Sequence, residues 1–238
     1  MSISEEKISS VDDSAPDGDL LHWTNDDNQH AYYNQPAIKQ VLPGFAVLGG
    51  LDSGCDIDAV FDYIASAKRL LEVGAGYGRV VDALLRHSFT GAVEVVERSD
   101  VFCEELKRFG DKITVHHQDV RGFKPDEPYD VVLSMWSGIS DFPSAEQPGL
   151  VQTLSGFLCV GGRLILDTSV AGQKPLNARF AAEQAYSILK DGCSAKGYIP
   201  SEVEMLAYAK KASLAMVRHF TYITAAQRQR KLYVFERV

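Results

Sequence analysis

The chain has 238 residues, of which 45% are hydrophobic and 24% charged, a composition that is ordinary for a globular protein and excludes disorder throughout. The formal net charge is −8. Residues 1–30 carry eight acids and one lysine, so the rest of the chain is close to neutral. Bulk charge therefore hardly discriminates between classes of partner.

Cysteine spacing and hydropathy indicate the cellular compartment in which the protein is expected. The four cysteines lie far apart, with no C-x-x-C pair and no histidine at zinc-ligand spacing, so we expect free thiols and no metal site. The acidic N-terminus has no apolar core typical of a signal peptide. No apolar run approaches the roughly 20 residues of a membrane helix. We expect a soluble cytoplasmic protein.

The chain divides into three parts by composition. Residues 1–19 are rich in Ser, Asp and Glu, which predicts a disordered acidic tail. Residues 20–66 contain aromatic residues and are broken by Pro36 and Pro43, which suggests an N-terminal cap or lid. Within this part, "DIDAVFDYIAS" has helical spacing after a possible N-cap at Asp56. Residues 67–238 form the predicted main domain.

Strand and helix patterns alternate along the first half of the main domain. Five segments have the pattern of strands: "RLLEV", "AVEVVE", "KITVHHQD", "YDVVLSMW" and "RLILDTS". Between them lie predicted helices in "GRVVDALLRH", in "SDVFCEELKRFG" with a Ser99 cap, and in "GLVQTLSGFLCV" ending at Gly161 and Gly162. This alternation predicts an α/β fold with a doubly wound, mostly parallel sheet.

The pattern changes after Asp167. We expect helices around residues 177–190 and 201–212, followed by the strands "LAMVRHFTYITA" and "KLYVFERV". The two strands predict a C-terminal antiparallel hairpin, joined around "AQRQR", at the edge of the sheet. The complete expected architecture therefore adds this hairpin and the N-terminal helical cap to the parallel sheet.

A glycine-rich turn follows the first predicted strand in "LLEVGAGYGRV". Glycines allow a ligand to contact bare backbone where a strand meets a helix N-terminus. The spacing E-x-G-x-G-x-G differs from the dinucleotide fingerprint, because Arg79 stands where its third glycine would be. The carboxylate of Glu72 would repel a pyrophosphate but suits an ammonium or sulfonium group.

This stretch resembles the first motif of class I S-adenosylmethionine-dependent methyltransferases. "VEVVERSD" and "VHHQDVRGF" are similar to the second and third motifs of the family. The resemblance implies that Glu97 binds both ribose hydroxyls, that Asp119 lies near the adenine amino group and that Val120 lies beside the ring. The cofactor site that we expect consists of Glu72, Gly74, Ala75, Gly76, Gly78, Glu97, Arg98, Asp119, Val120, Met135, Trp136 and Tyr33.

Each of the three acids also has a plain structural alternative as a turn cap, helix cap or solvated strand end, but all three lie at successive strand ends on one rim. The resemblance covers about 68–167 firmly and 201–238 loosely. It implies S-adenosyl-L-methionine as cofactor and methyl transfer to an N, O, S or C nucleophile. Candidates near the methyl group are Met135, Trp136, Ser137, Asp141, Tyr32 and Tyr33. No catalytic residue is assigned.

The acceptor is predicted to be a small molecule, since no appended recognition domain is evident. "SMWSGISDF" lacks the Asn/Asp-Pro-Pro-aromatic signature of nucleic-acid amino methyltransferases, which disfavours nucleic acid. Protein or RNA methylation, and a catalytically inactive partner subunit, remain alternatives. Aminopropyl transferases share the fold, but their typical sequence pattern has an acidic residue just after the fourth strand. This chain has no acidic residue there, which disfavours that activity. The sequence leaves the oligomeric state open.

Overall fold

A computed structural model of the chain describes residues 27–170, 179–180, 184–190 and 193–238. The predicted acidic tail, residues 1–19, lies outside these ranges. The described chain begins with four helices that precede the sheet: α1 (Asp27–Tyr33), α2 (Ile38–Gly49), α3 (Cys55–Asp58) and α4 (Phe61–Ile64). The N-terminal segment that was expected to form a cap is therefore largely helical.

Five parallel strands and two antiparallel strands form the main sheet. The parallel strands are β1 (Arg69–Val73), β2 (Ala92–Glu97), β3 (Thr114–His117), β4 (Tyr129–Ser134) and β5 (Leu158–Ser169). The C-terminal hairpin, β9 (Leu214–Ile223) and β10 (Gln229–Arg237), pairs antiparallel through β10 with β5. The order is β3-β2-β1-β4-β5-β10-β9. The predicted doubly wound fold is confirmed, and its order reverses between β1 and β4.

Helices cover both faces of the sheet, which explains why the central strands are mostly apolar. Successive side chains alternate between faces, so Leu71 packs on one side and Leu70 on the other. On the first side lie α7 (Gln147–Gly156) and α8 (Glu202–Lys211), and on the second lies α5 (Arg79–Arg86). Full burial of each such leucine contributes about 1.5–3 kcal/mol.

The second crossover, between β2 and β3, carries a capped helix, as the sequence predicts. The hydroxyl of Ser99 accepts a hydrogen bond from the backbone of Phe102 at the start of α6 (Asp100–Leu106). A 3₁₀ helix continues it over Lys107–Lys112, with Gly110 at φ 56° inside this segment. The serine cap fixes where this helix begins, immediately after the end of β2.

The helix expected around residues 177–190 is wrong. The described residues there form β6 (Arg179–Phe180) and β7 (Ala185–Lys190), which pair with β8 (Cys193–Tyr198) in a three-stranded antiparallel sheet. Lys190 pairs with Cys193, and the intervening dipeptide in the sequence is Asp-Gly. That dipeptide is the strongest short hairpin signal, and it outweighs the helical spacing of the apolar residues.

Two other boundaries differ from prediction. The helix expected to run to Gly161 ends at Gly156, and Gly161 lies inside β5 with a φ of 77° beside an irregularity in the β4–β5 register. The helix expected over "DIDAVFDYIAS" is split into α3 and α4. Asp56 does not cap it but lies within α3, fully buried, because it pairs with Arg79.

Candidate active site

A cavity of about 280 Å³ lies at the carboxyl ends of the parallel strands. The glycine turn after β1 forms part of it, together with the ends of β2, β3 and β4 and the helix α1. All the predicted cofactor residues except Gly78 line it: Tyr33, Glu72, Gly74, Ala75, Gly76, Glu97, Arg98, Asp119, Val120, Met135 and Trp136. The structure therefore brings together residues that are up to about a hundred positions apart in the sequence.

The three glycines of the turn have positive φ angles but different surroundings. At Gly74 (φ 72°) an added Cβ would meet none of the described atoms within 4 Å, so open space lies above its backbone. At Gly78 (φ 87°) the same atom would approach the ring of Phe109 to 2.4 Å. Gly78 is thus required for close packing of α5. Its predicted contact with the cofactor is not supported by its position.

Glu72, on β1 just before the turn, is a buried carboxylate that is incompletely paired. Its side chain lines the cavity and the residue is only 3% exposed. Among the described residues its Oε2 atom has no hydrogen-bond partner. Burial raises the pKa of Glu72 to about 8, although the positive charge of Arg79 opposes the shift. A cationic ligand group in the cavity would supply the missing partner.

Glu97, the last residue of β2, accepts hydrogen bonds from the backbone at two positions. One carboxylate oxygen accepts the backbone N–H of Gly76 at 2.8 Å, and the other accepts that of Ser99 at 2.8 Å. Burial raises the pKa of Glu97, and the backbone donors partly offset this effect. Because each carboxylate oxygen has more than one lone pair, Glu97 can still accept hydrogen bonds from a ligand in the cavity.

Asp119 follows β3 and is held by arginines. The guanidinium of Arg121 donates to it at 2.6 and 2.9 Å, and Arg98 lies 3.5 Å away. Burial acts to raise the pKa of Asp119, but the hydrogen bonds and charge of Arg121 together lower it. The neighbouring Val120 is buried against the cavity. At the end of β3, the cavity wall thus consists of the apolar side chain of Val120 beside the ionised carboxylate of Asp119.

The backbone after β4 is in an unusual conformation. Trp136 and Ser137 have φ angles of 49° and 65°, in the left-handed region that costs side-chain-bearing residues of order 1–3 kcal/mol. The N–H of Trp136 donates to the carboxylate of Asp167 at 2.9 Å, and the hydroxyl of Ser137 accepts from Arg230 at 2.8 Å. Asp167 and Arg230 form a buried ion pair at 2.8 Å. This pair holds Trp136 against the cavity.

A second buried ion pair lies beneath the glycine turn. Arg79, the first residue of α5, donates to both carboxylate oxygens of Asp56 at 2.7 and 2.6 Å and to the carbonyl of Leu51 at 3.0 Å. Its guanidinium carbon lies 5.7 Å from the centre of the Trp136 ring. Sequence reasoning noticed Arg79 only as a missing glycine, and neither ion pair has a local sequence signal.

The helix α1 closes over the cavity through two hydrogen bonds. The hydroxyl of Tyr33 donates to the carboxylate of Asp141, with O···O distances of 3.2 and 3.3 Å. The hydroxyl of Ser99 donates to the backbone carbonyl of Tyr33 at 2.8 Å. Burial raises the pKa of Asp141 to about 7, and the Tyr33 hydrogen bond opposes this shift. Tyr32 is buried beside Tyr33.

In the described ranges, no group of three or more His, Cys, Asp or Glu side chains has the arrangement of a metal site. The helices of those ranges include none long and apolar enough to cross a bilayer. The cavity therefore offers carboxylates, bare backbone and aromatic rings as its ligand-binding groups, as far as the described chain extends.

Comparison with known families identifies the domain that carries this cavity. Residues 70–162, which include the glycine turn and the ends of β2, β3 and β4, match the family model described as a methyltransferase domain. Residues 70–162 are therefore a methyltransferase domain. The predicted methyltransferase class is confirmed by this match, and S-adenosylmethionine is the methyl donor consistent with that class. No curated protein matches the sequence.

Solved structures resemble this methyltransferase over most of its length. A S-adenosylmethionine-dependent methyltransferase from Clostridium acetobutylicum ATCC 824 is 13% identical, with 78% of this chain and 90% of that chain covered and a TM-score of 0.60. The glycopeptide N-methyltransferase MtfA with S-adenosyl-L-homocysteine is 17% identical, with 86% and 99% covered and a TM-score of 0.63. CalS10, from Micromonospora echinaspora, is 17% identical, with 79% and 91% covered and a TM-score of 0.60. At these identities the likeness establishes the fold.

Proposed function

We propose that this methyltransferase binds S-adenosylmethionine on the glycine turn and transfers its methyl group to a small-molecule acceptor in the same cavity. The observation that carries the placement of the cofactor is the unpartnered oxygen of Glu72, buried beside open space above the Gly74 backbone. A buried carboxylate without a partner is costly, and the ammonium group of the cofactor's methionine half would satisfy it.

The remaining polar groups fit the other parts of the cofactor. Glu97 is proposed to accept both ribose hydroxyls with the lone pairs that the Gly76 and Ser99 amides leave available. Asp119 is proposed to accept the adenine amino group, while Val120 packs against the ring. Arg98, Ala75 and Met135 are assigned to the walls of the same cavity. In this arrangement the adenosine half lies along the ends of β2 and β3.

In this proposal the protein contributes to catalysis mainly by aligning the methyl donor and the acceptor. Held by the glycine turn, Glu72 and Glu97, S-adenosylmethionine would supply an electrophilic methyl group. Trp136, held by the Asp167–Arg230 pair, presents an aromatic ring that attracts a cation by about 0.5–2 kcal/mol. Holding two reactants in attack geometry contributes about 7–11 kcal/mol to lowering a barrier. Closure of α1 through Tyr33 excludes water from the site.

Two observations favour a small acceptor. The bond between Tyr33 and Asp141 closes α1 over the cavity, so a bulky polymer would have to displace this helix to reach the site. The solved neighbours include an amino pentose methyltransferase and a glycopeptide N-methyltransferase, as their descriptions state. Their acceptors do not transfer to this chain at the observed identities, but they are consistent with a small acceptor.

Binding and transfer are tested separately. Calorimetry with S-adenosylhomocysteine is expected to show saturable binding, whereas NAD is expected not to bind. Stabilisation by NAD alone would contradict the placement of the cofactor. Incubation with methyl-labelled cofactor and separate metabolite, protein and RNA fractions then identifies the acceptor class. Label in the metabolite fraction is expected, and label confined to protein or RNA would overturn the small-molecule assignment.

A further inference from the structure

Among the carboxylates that line the described cavity wall, Asp141 is neither used by the proposed cofactor contacts nor hydrogen-bonded to a cationic side chain. It lies at the end of the 3₁₀ helix Gly138–Asp141, which follows β4. Its hydrogen-bond donor is the hydroxyl of Tyr33, which is neutral. By contrast, arginines hold Asp119.

Asp141 lies on a different loop from the cofactor's proposed anchors. Glu72 and Glu97 lie at the ends of β1 and β2, whereas Asp141 belongs to the loop beyond Trp136, on the β4 side of the switch point. Tyr33 reaches this carboxylate from α1, the helix that closes over the cavity. An acceptor that enters beneath α1 would therefore meet Asp141 and Trp136 together.

We propose that Asp141, oriented by the Tyr33 hydroxyl, is the general base of the methyl transfer and that the acceptor nucleophile is an amine. The inference rests on the proposed function. The carboxylate takes a proton from the acceptor ammonium, forming an O–H bond while the N–H electron pair stays on nitrogen. That lone pair would form the new bond to the methyl carbon while the carbon–sulfur bond breaks with its electron pair on sulfur, so that S-adenosylhomocysteine and the N-methylated amine are the products. Asp141 releases its proton to solvent after the products leave.

Proton affinities favour an amine over an aliphatic alcohol. Burial raises the pKa of Asp141 to about 7. An alkylammonium such as that of lysine has a pKa of about 10.4, so transfer to Asp141 is uphill by about 10³-fold. A hydroxyl comparable to water, at about 15.7, makes the same transfer uphill by about 10⁹-fold. Asp141 is matched to an ammonium.

Charged and titratable groups from several elements surround Asp141. Some of these groups act on its pKa or hydrogen-bond with it: Tyr32 and Tyr33 of α1, and Glu97 and Arg98 at the end of β2. The others belong to elements next to its helix: Glu146 before α7, Asp167 of β5, and Lys196 and Tyr198 of β8. Arg98 acts to lower the pKa of Asp141 and Glu97 acts to raise it. Asp167 is neutralised by its own partner, Arg230.

A cofactor analogue tests the inference without knowledge of the acceptor. Sinefungin carries a protonated amine where the cofactor has its sulfonium methyl group, whereas S-adenosylhomocysteine carries nothing there. Calorimetry on the full chain compares the two affinities between pH 6 and pH 8. In wild type we expect sinefungin to bind at least about tenfold more tightly at pH 8, with the preference shrinking toward pH 6 as Asp141 becomes protonated.

Three variants separate the possible causes of that preference. D141N is expected to abolish the preference at every pH while leaving the affinity for S-adenosylhomocysteine unchanged, which also shows that it folds. Y33F is expected to shift the midpoint of the preference to higher pH, because the lost hydrogen bond lowers the pKa of Asp141 in wild type. E146Q removes a neighbouring carboxylate, and its preference is expected to match wild type.

The outcomes distinguish this inference from the proposed function. If neither ligand binds wild type, the cofactor placement fails and the inference fails with it. If both bind and D141N keeps the wild-type preference for sinefungin, the inference alone is refuted. In the labelled metabolite experiment we expect N-methylated products, and products that are all O-methylated or C-methylated would overturn the amine assignment.

Discussion

Replacement of Glu72 by glutamine should change how stability depends on pH. Burial raises the pKa of Glu72 to about 8 from an ordinary value of 4.5. Between these two values the folded protein keeps a proton that the unfolded chain releases, so wild-type stability falls as the pH rises through this window. The loss reaches about 1.4 kcal/mol per pH unit and amounts to about 2–3 kcal/mol between pH 5 and pH 7.

The assay is urea unfolding of wild type and Glu72→Gln, without cofactor, at pH 5, 6 and 7. Because glutamine does not titrate, the free energy of unfolding of the variant should rise relative to wild type by about 2–3 kcal/mol across this range. Any constant cost of burying the amide cancels, since only the pH dependence is compared. Glu127→Gln, at a glutamate whose side chain is 76% exposed, serves as the control. A constant difference for Glu72→Gln would refute the reasoning.

Three further changes test the surroundings of the cavity. Asp56→Asn should lower the free energy of unfolding by about 3–5 kcal/mol, because it leaves Arg79 buried without its ion pair. The control Asp58→Asn, at an exposed neighbour, should lower it by less than about 1 kcal/mol. Equal effects of the two changes in urea unfolding would contradict this difference. Gly78→Ala should destabilise by about 1–3 kcal/mol through overpacking, and an unchanged thermal midpoint would show that the helix yields freely. Glu97→Ala should weaken binding of S-adenosylhomocysteine by about 1.5–3 kcal/mol, and calorimetry with wild-type affinity would rule out its ribose contact.

The parallel half of the fold was predictable from sequence because its signals are local. Strands buried on both faces are mostly apolar, and the helix α6 carries its own side-chain cap at Ser99. The rim position of Glu72, Glu97 and Asp119 followed from the same alternation, since parallel strands end on one edge. The cavity therefore contains most of the residues that the motifs indicated.

The antiparallel insertion was missed because its apolar spacing was compatible with a helix. The segment from β7 to β8 pairs through an Asp-Gly dipeptide, a two-residue signal that competes with a longer periodic pattern. The packing role of Gly78 was missed for a related reason. Its place in the motif suggested a ligand contact, which stays a prediction, but only the fold brings Phe109 against it.

The ion pairs around the cavity could not be found from sequence. Asp56 and Arg79 are 23 residues apart, and Asp167 and Arg230 are 63 apart, so no local spacing links them. Both pairs depend on the order of elements in three dimensions, the second on a C-terminal strand that turns back antiparallel beside β5. Neither the restrained position of Trp136 nor its left-handed backbone has any sequence signature.

The most direct test of the cofactor site is a crystal structure of the chain grown with S-adenosylhomocysteine. We expect the ligand in the cavity, with its amino group against Glu72, its ribose hydroxyls on Glu97 and its chain over the backbone of Gly74 and Gly76. An empty cavity, or a ligand bound elsewhere on the protein, would contradict the assignment of these residues to the methyl donor.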